Sequence, residues 1–378
     1  MGQHDRDGRM TAAPTLSLRA LNRALLARQG LLERRAPARL ADALAPLVAL
    51  QGEVVKPPYL ALWARSAAFE RPMLARALIA GEAVRGTFVR ATLHVLAAED
   101  YPQFRASVQP ALDRALKAFY GKKAAGLDVE RLCAAAEPFL REAPRTLRDL
   151  RAFLAVHEPA RDPETMAYAV RTRLPLVQAP PAGVWGVGGA PRYALAEAVL
   201  GRPLAPADDA ALRVLVRRYL AAFGPASPRD MTAWSGITNL APHFAAQAAE
   251  LRAFTGPGGE TVYDLPDAPR PPDDAPAPVC FLAEFDSVLL GHAEKTRVLA
   301  EADRKSVFLS AGRVAAVFLI DGFAAGTWRF DAAAEGGIAW VSFTGRTLAD
   351  AERAAVAAEA ARLSAWLEQR DAEPDPQA

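Results

Sequence analysis

Gln51 and Glu53 are the residues of this chain whose types and spacing could do chemistry. A carboxamide and a carboxylate, separated only by Gly52, follow a run of small apolar residues and precede Pro57-Pro58. The pattern predicts a helix that ends at this pair, with both side chains directed into one cleft where the helix unwinds. A carboxylate held there can take a proton from water or stand opposite a developing positive charge, while the carboxamide orients the water. The ordinary alternative for such a pair is a helix cap or a solvated end. Lys56, three residues beyond Glu53, could anchor an anion or lower the pKa of the carboxyl group.

Other chemistries are poorly supplied. Cys133 and Cys280 lie far apart in apolar surroundings, which is too little for a disulfide framework or a zinc site. The five histidines are scattered and none pairs with a second ligand at i, i+4, so neither a metal nor another cofactor is expected. Met1 to Ala13 contain no apolar core of signal-peptide length, and no apolar run reaches membrane-spanning length. The expectation is a cytoplasmic monomer with no membrane partner. Net charge is only +2, but it is unevenly spread. Residues 1–270 carry a net +9 and residues 271–378 a net −7. A basic front and an acidic back fit a chain whose front half alone meets an anionic polymer; chance plus an acidic tail at Asp371 to Asp375 is the alternative.

The elements that must position Gln51 and Glu53 read as helices followed by ribbons. Helices are expected over 16–29, from Pro37 onward, over 59–67 and over 72–80, and a two-stranded ribbon over 84–95. The outline recurs. Helices over 146–155 and 164–173 precede a strand at 176–178, a Pro-Pro-Ala-Gly turn and a strand at 184–187. A third unit has a helix over 212–223, a Ser227-capped helix over 228–234, a Gly236 turn and a helix over 240–254. Pro266 to Pro278 reads as a linker, the strands beyond it as a small antiparallel sheet or barrel, and 348–370 as a closing helix. The fold class is α+β: three tandem winged-helix (helix-turn-helix) units, a C-terminal β-barrel-like region and a closing helix. Its divisions are a disordered N-terminus at 1–14, winged helices at 15–110, 111–205 and 206–265, the linker at 266–278, the barrel-like domain at 279–345, and a helix and tail at 346–378.

Several segments are familiar. Leu50-Gln51-Gly52-Glu53 with Pro58 to Arg65, Arg90 to His94, Val177 to Gly186, Tyr219 to Ala226 with Trp234-Ser235-Gly236, Phe281 to Asp286 and Asp321 to Trp328 together cover most of the chain. Through them it resembles the bacterial winged-helix DNA-binding family of AlkZ/YcaQ-like glycosylases, which act on alkylated DNA and interstrand crosslinks. The resemblance implies three winged helices around a DNA-sized concavity, with a β-barrel. It also implies a catalytic motif of Gln, an aliphatic residue, then Gln or Asp, which falls here on Gln51, Gly52 and Glu53. Glycine replaces the aliphatic residue, which would loosen the backbone. Glutamate keeps an oxygen acceptor with altered reach or charge.

The implied activity is monofunctional hydrolysis of the N-glycosidic bond of N7- or N3-alkylated purines in damaged double-stranded DNA. Glu53 would activate water and oppose sugar charge, and Gln51 would orient the water or the backbone. A non-catalytic DNA-binding protein or transcriptional regulator on the same scaffold is the alternative. Candidate DNA contacts are Lys56, Arg65, Arg85, Arg90, Thr92, His94, Arg171, Arg173, Arg217 and Arg218. A histidine bonded within its own domain accounts equally for His94, and solvated helix faces for the later arginines. Trp185 could meet DNA or form a local core.

Overall fold

The computed structural model describes residues 13–369. The expected disordered N-terminus therefore lies outside the described residues, except for Ala13 and Pro14. Those two run beside Thr255, whose N–H donates to Pro14 O at 2.9 Å. The first helix, Leu18–Arg28, opens on Ser17, whose hydroxyl accepts from Ala20 N–H at 2.9 Å. Leu21, Leu25 and Leu26 face the core. Arg19, Arg23 and Arg28 reach the other way and donate to carbonyls of Asp273, Ala275 and Pro269. The 266–278 segment is thus strapped along this helix. Arg28 also pairs bidentately with fully buried Asp264, at 2.7 and 2.8 Å.

The chain reaches Gln51 differently from the expected helix end. Helix Leu40–Leu44 tightens into a 3-10 turn, Ala45–Leu47, and stops at Val48. Val48 has φ +63°, a conformation that a β-branched residue rarely adopts. Leu50–Gln51 is then a short strand, β1, so Gln51 sits on a sheet edge. Pro57 and Pro58 do not break the chain. They lie in the first turn of helix Lys56–Arg65, where a missing N–H costs nothing.

The first ribbon forms as expected, from β2 (Ala83–Thr87) and β3 (Leu93–Ala97). The second does not. Its strands are β4 (Arg145–Thr146), β5 (Leu176–Gln178) and β6 (Arg192–Leu195), and the expected strand at 184–187 is part of a long turn. Gly183, Gly186 and Gly189 all take positive φ there, which no strand allows. The two ribbons join into one antiparallel sheet, in order β1-β3-β2-β5-β6-β4, through Gly86 opposite Val177. A Cβ on Gly86 would lie 2.8 Å from the Tyr101 ring, so only glycine lets this junction close.

Two helices absent from the sequence-based expectation follow, Gln109–Tyr120 and Val129–Glu142. The second stands with Leu147–His157 and Pro163–Arg173 around a separate small core of Leu132, Leu140, Leu154, Met166 and Val170, while Gln109–Tyr120 packs on Pro163–Arg173 and sends Leu112 into the main core. The third unit has helices Asp209–Phe223 and Pro228–Ser235, the latter capped by Ser227 with a return bond from Asp230. The expected helix over 240–254 shrinks to Ala241–Ala245, and a ribbon follows, β7 (Arg252–Thr255) and β8 (Thr261–Asp264). Phe254 and Val262 alternate inward on it, a period-two signal hidden by the alanines before it.

The barrel expectation is corrected. Strands β9 (Cys280–Leu282), β10 (Val317–Ile320), β11 (Phe323–Phe330) and β12 (Ile338–Ser342) make an open four-stranded antiparallel sheet, in order β12-β11-β10-β9. The segment at 304–307 is a helical turn, and four short strands are too few to close on themselves. Helix Asp350–Glu368 packs back on the first unit, with Trp366 Nε1 donating to Phe69 O at 2.9 Å. One continuous core links the first unit, the third unit, this sheet and this helix.

Candidate functional site

Gln51 pairs opposite His94 across the β1–β3 ladder. Where β1 ends, the ladder is continued by other means. Gly52 N–H donates to Leu93 O at 2.8 Å, and Leu93 N–H donates to Glu53 Oε1 at 2.8 Å. The Glu53 side chain thus takes the place of the next strand carbonyl. Its second oxygen accepts no hydrogen bond from any described residue, and the residue is solvent-exposed.

Arg85, on β2, fixes the backbone of the same loop. Its Nε donates to Gly52 O at 2.7 Å and its Nη2 to Glu53 O at 3.2 Å, while Nη1 donates to Gln178 Oε1. Gln178 in turn donates to Tyr193 Oη at 2.9 Å. Arg85 is buried, and that burial lowers its pKa, against the opposing influence of Tyr193 and the Glu53 charge. Gly52 is accordingly not loose. It is buried, bonded at both N–H and C=O, and a Cβ there would meet Val95 Cγ2 at 3.3 Å.

Gln51 is held from the other side. Its Oε1 accepts from Arg90 Nη2 at 2.9 Å, and Arg90 Nη1 donates to Trp234 O in the third unit. Arg90 and Ala91 have φ +55° and +59°, a left-handed turn built without glycine. Burial pulls the Arg90 pKa down to about 10, so it remains cationic at neutral pH. His94 lies beneath. Burial, with the Arg90 charge added, pushes its pKa down to about 3. The ring is therefore neutral, and its Nδ1–H donates to Thr92 O at 3.1 Å. Thr92 itself donates to Val89 O at 3.2 Å.

The candidate contacts divide sharply. Lys56 is exposed next to the loop, with its ammonium 5.2 Å from the Trp185 ring and 4.9 Å from that of Phe330. Arg171 is half-buried and stacks over Tyr168 at 5.3 Å. Arg173 pairs with Asp113 and Glu130, and Arg217 with Glu250, in exposed bridges of the kind that exchange readily. Arg65 is not on the surface. It forms a buried bidentate pair with Asp286, at 2.7 and 2.9 Å. Arg218 bonds Ala45 O and Asp100. The structure thus turns Arg65, Arg85 and Arg218 inward to hold protein groups, because each finds a carboxylate or an unpaired carbonyl there. Trp185 is half-buried, edge-on to Tyr59 at 5.5 Å, which makes it a local core with one face beside Lys56.

Gln178 and Tyr193, which complete the Arg85 network, were not singled out as site residues. Gln178 falls in one of the segments that carry the family resemblance; Tyr193 gives no signal in the sequence. A cavity of about 140 Å³ opens beside the loop, lined by Val55, Arg85, Pro181, Gly183, Val187 and Arg192 among others. No group of three or more potential metal ligands occurs among the described residues.

A family model described as "DNA glycosylase AlkZ-like" matches residues 44–366. The chain belongs to this family. Gln51, Gly52 and Glu53 fall within the matched span, as do the Arg85 and Arg90 networks around them. The solved structure of the Streptomyces sahachiroi DNA glycosylase AlkZ is similar, with a TM-score of 0.77 at 21% sequence identity. The match covers 93% of this chain and 97% of that one. The two share a fold over essentially their whole length. No curated protein matches the sequence. No described helix is long and apolar enough to cross a membrane.

Proposed function

We propose that this member of the glycosylase family is a monofunctional DNA glycosylase that hydrolyses the N-glycosidic bond of N7- or N3-alkylated purines. The observation that carries the reading is the half-satisfied Glu53 carboxylate: one oxygen is fixed by Leu93 N–H, and the other accepts from no described residue. An alkylated purine is already cationic and leaves as a neutral base, so strong acid catalysis is not required. As the C1′–N bond breaks, its electron pair goes to the base. Positive charge develops on the sugar, opposite the carboxylate. A water held by the free oxygen of Glu53, and oriented by Gln51, adds its oxygen to C1′ and gives its proton to Glu53. The products are the neutral alkylpurine and an abasic sugar. Lys56 and Arg171 are the phosphate contacts best placed for such a substrate, and Arg173 and Arg217 become available if their exposed bridges open.

The test is release of free base from duplex DNA carrying methylated purines, with a second duplex carrying one bulky adduct. Free 7-methylguanine together with an alkali-labile abasic site is the expected result. A sequence-specific footprint with no abasic product would mean a DNA-binding protein or regulator on the same scaffold.

A further inference from the structure

Resting on the reading of this chain as a DNA glycosylase, we infer that Phe119, Tyr120, Tyr168 and Arg171 form a stacking subsite for an unpaired nucleobase of duplex DNA, at the far end of the helix that starts next to the Gln51–Glu53 loop. The helix Gln109–Tyr120 carries Leu112, Ala115, Leu116 and Phe119 on one face at helical spacing. Leu112 is fully buried, whereas Phe119 is 69% exposed, so the apolar stripe outruns the core it serves. Phe119 is also the most exposed aromatic side chain among the large hydrophobic residues described as exposed. Its ring lies 6.0 Å from that of Tyr168, nearly edge-on at 74°, and Tyr120 lies 5.0 Å from the same ring. Arg171 covers Tyr168 at 5.3 Å. Tyr168 is half-buried, and its hydroxyl lies on the enclosed side with no hydrogen-bond partner among the described residues.

Two observations relate this cluster to the loop. Gly236 packs against both Ala111 and Arg90, and Arg90 holds Gln51, so the helix starts next to the loop. Phe119 lies eight residues further on, about 12 Å along the axis, which is three to four nucleotides of one strand. From the other side, Tyr168 lies within electrostatic range of Glu53. Burial raises the Tyr168 pKa, the Arg171 charge opposes this, and the Glu53 charge adds to it.

Charge identifies the occupant. Lys117 and Lys122 are exposed, and neither they nor Arg171 pair with a carboxylate among the described residues. Lys123 is held only loosely by Asp162, at 3.6 Å. The carboxylates nearest Tyr120, Asp162 and Glu164, are engaged by Lys123 and Arg151. An open aromatic face, with Arg171 stacked on it and unpaired lysines on the same helix and the turn that follows, is the combination that holds unstacked bases on an anionic strand. A protein partner, or a second copy of this chain, would have to bury those ammonium groups. A fully paired duplex offers no free base face, so the subsite discriminates a duplex with an unpaired base from an intact one.

The probe is a duplex containing a non-hydrolysable abasic analogue opposite a normal base, compared by anisotropy with the fully paired duplex. Wild type is expected to prefer the abasic duplex by at least about fivefold. Phe119→Ala should lose most of that preference, and Phe119→Trp should keep it. Because Phe119 is largely exposed, its truncation removes little core, and an unchanged circular dichroism spectrum confirms the fold. Equal preference in wild type and Phe119→Ala overturns the proposal, as does DNA-free self-association that Phe119→Ala abolishes. Base release plays no part in this readout. A Phe119-dependent preference without excision would therefore sink the glycosylase reading and leave the subsite standing.

Discussion

In the proposed reaction Glu53 acts through an oxygen whose position depends on what holds its backbone, and that is Arg85. Arg85 bonds the carbonyls of Gly52 and Glu53 while Gln178 and Tyr193 fix its far end. Arg85→Lys keeps a cation but loses the fork that spans two carbonyls. The expected result is a single-turnover base-release rate lower by about tenfold or more, with the Kd for DNA changed by less than about threefold. Gln178→Leu should act in the same direction and less strongly. An Arg85 that instead served a phosphate would show the opposite split, weaker binding and an unchanged rate when saturated. The sequence made Gln51 and Glu53 legible because they are polar in an apolar run. It could not reveal the role of Arg85, since an arginine on a ribbon reads the same whether it faces solvent or a neighbouring carbonyl; only burial separates the two.

Elements decide which cations are free. Lys56 starts a helix at the loop and points outward, and Arg171 lies on a helix face beside Tyr168. Each phosphate contact contributes about 0.9 to the slope of log K against log salt. Lys56→Ala and Arg171→Ala are expected to lower that slope by about one each, measured by anisotropy across a salt series. Arg65→Ala should leave the slope unchanged. It strands Asp286 in the core and costs about 3–5 kcal/mol in urea unfolding. The first ribbon and several helices, such as Leu18–Arg28, Pro163–Arg173 and Pro228–Ser235, are readable from period and capping, whereas Gln109–Tyr120 and Val129–Glu142 are not. The second ribbon was mispaired because β6 lies beyond a long glycine-bearing loop, and proximity in sequence favoured Val184 to Val187. The joining of the two ribbons rests on one glycine, Gly86, whose need for space appears only when Tyr101 is seen against it. The open sheet followed the same logic: its strands were visible, and their failure to close was a matter of number and order.

At the scale of the whole molecule, the loop is where distant stretches of the chain meet. The second unit reaches it through Gln178 and the third through Trp234, so its geometry depends on the assembled chain. That assembly contains histidines buried without charge. His94 has a pKa near 3 in the fold against about 6.5 when unfolded. Between those values the unfolded chain takes up a proton that the folded one refuses, so stability falls as pH drops below 6.5. Between pH 7 and pH 5, His94 should account for a loss of about 2 kcal/mol in urea unfolding. His292, buried and pushed to about 3 as well, should add a similar loss. His94→Gln should reduce the pH 7 to pH 5 difference by its own share, whatever it does to stability at pH 7. The family fold was legible in segments scattered over most of the chain. The arrangement of Arg85, Arg90 and Glu53 was not, because it is made by residues from three units. The most direct measurement of the central claim is single-turnover release of 7-methylguanine from duplex DNA by wild type and Glu53→Ala, with DNA affinity measured on the same preparations. The account predicts release by wild type, a loss of at least about a hundredfold in Glu53→Ala, and an unchanged Kd. Equal release rates in the two proteins would contradict it.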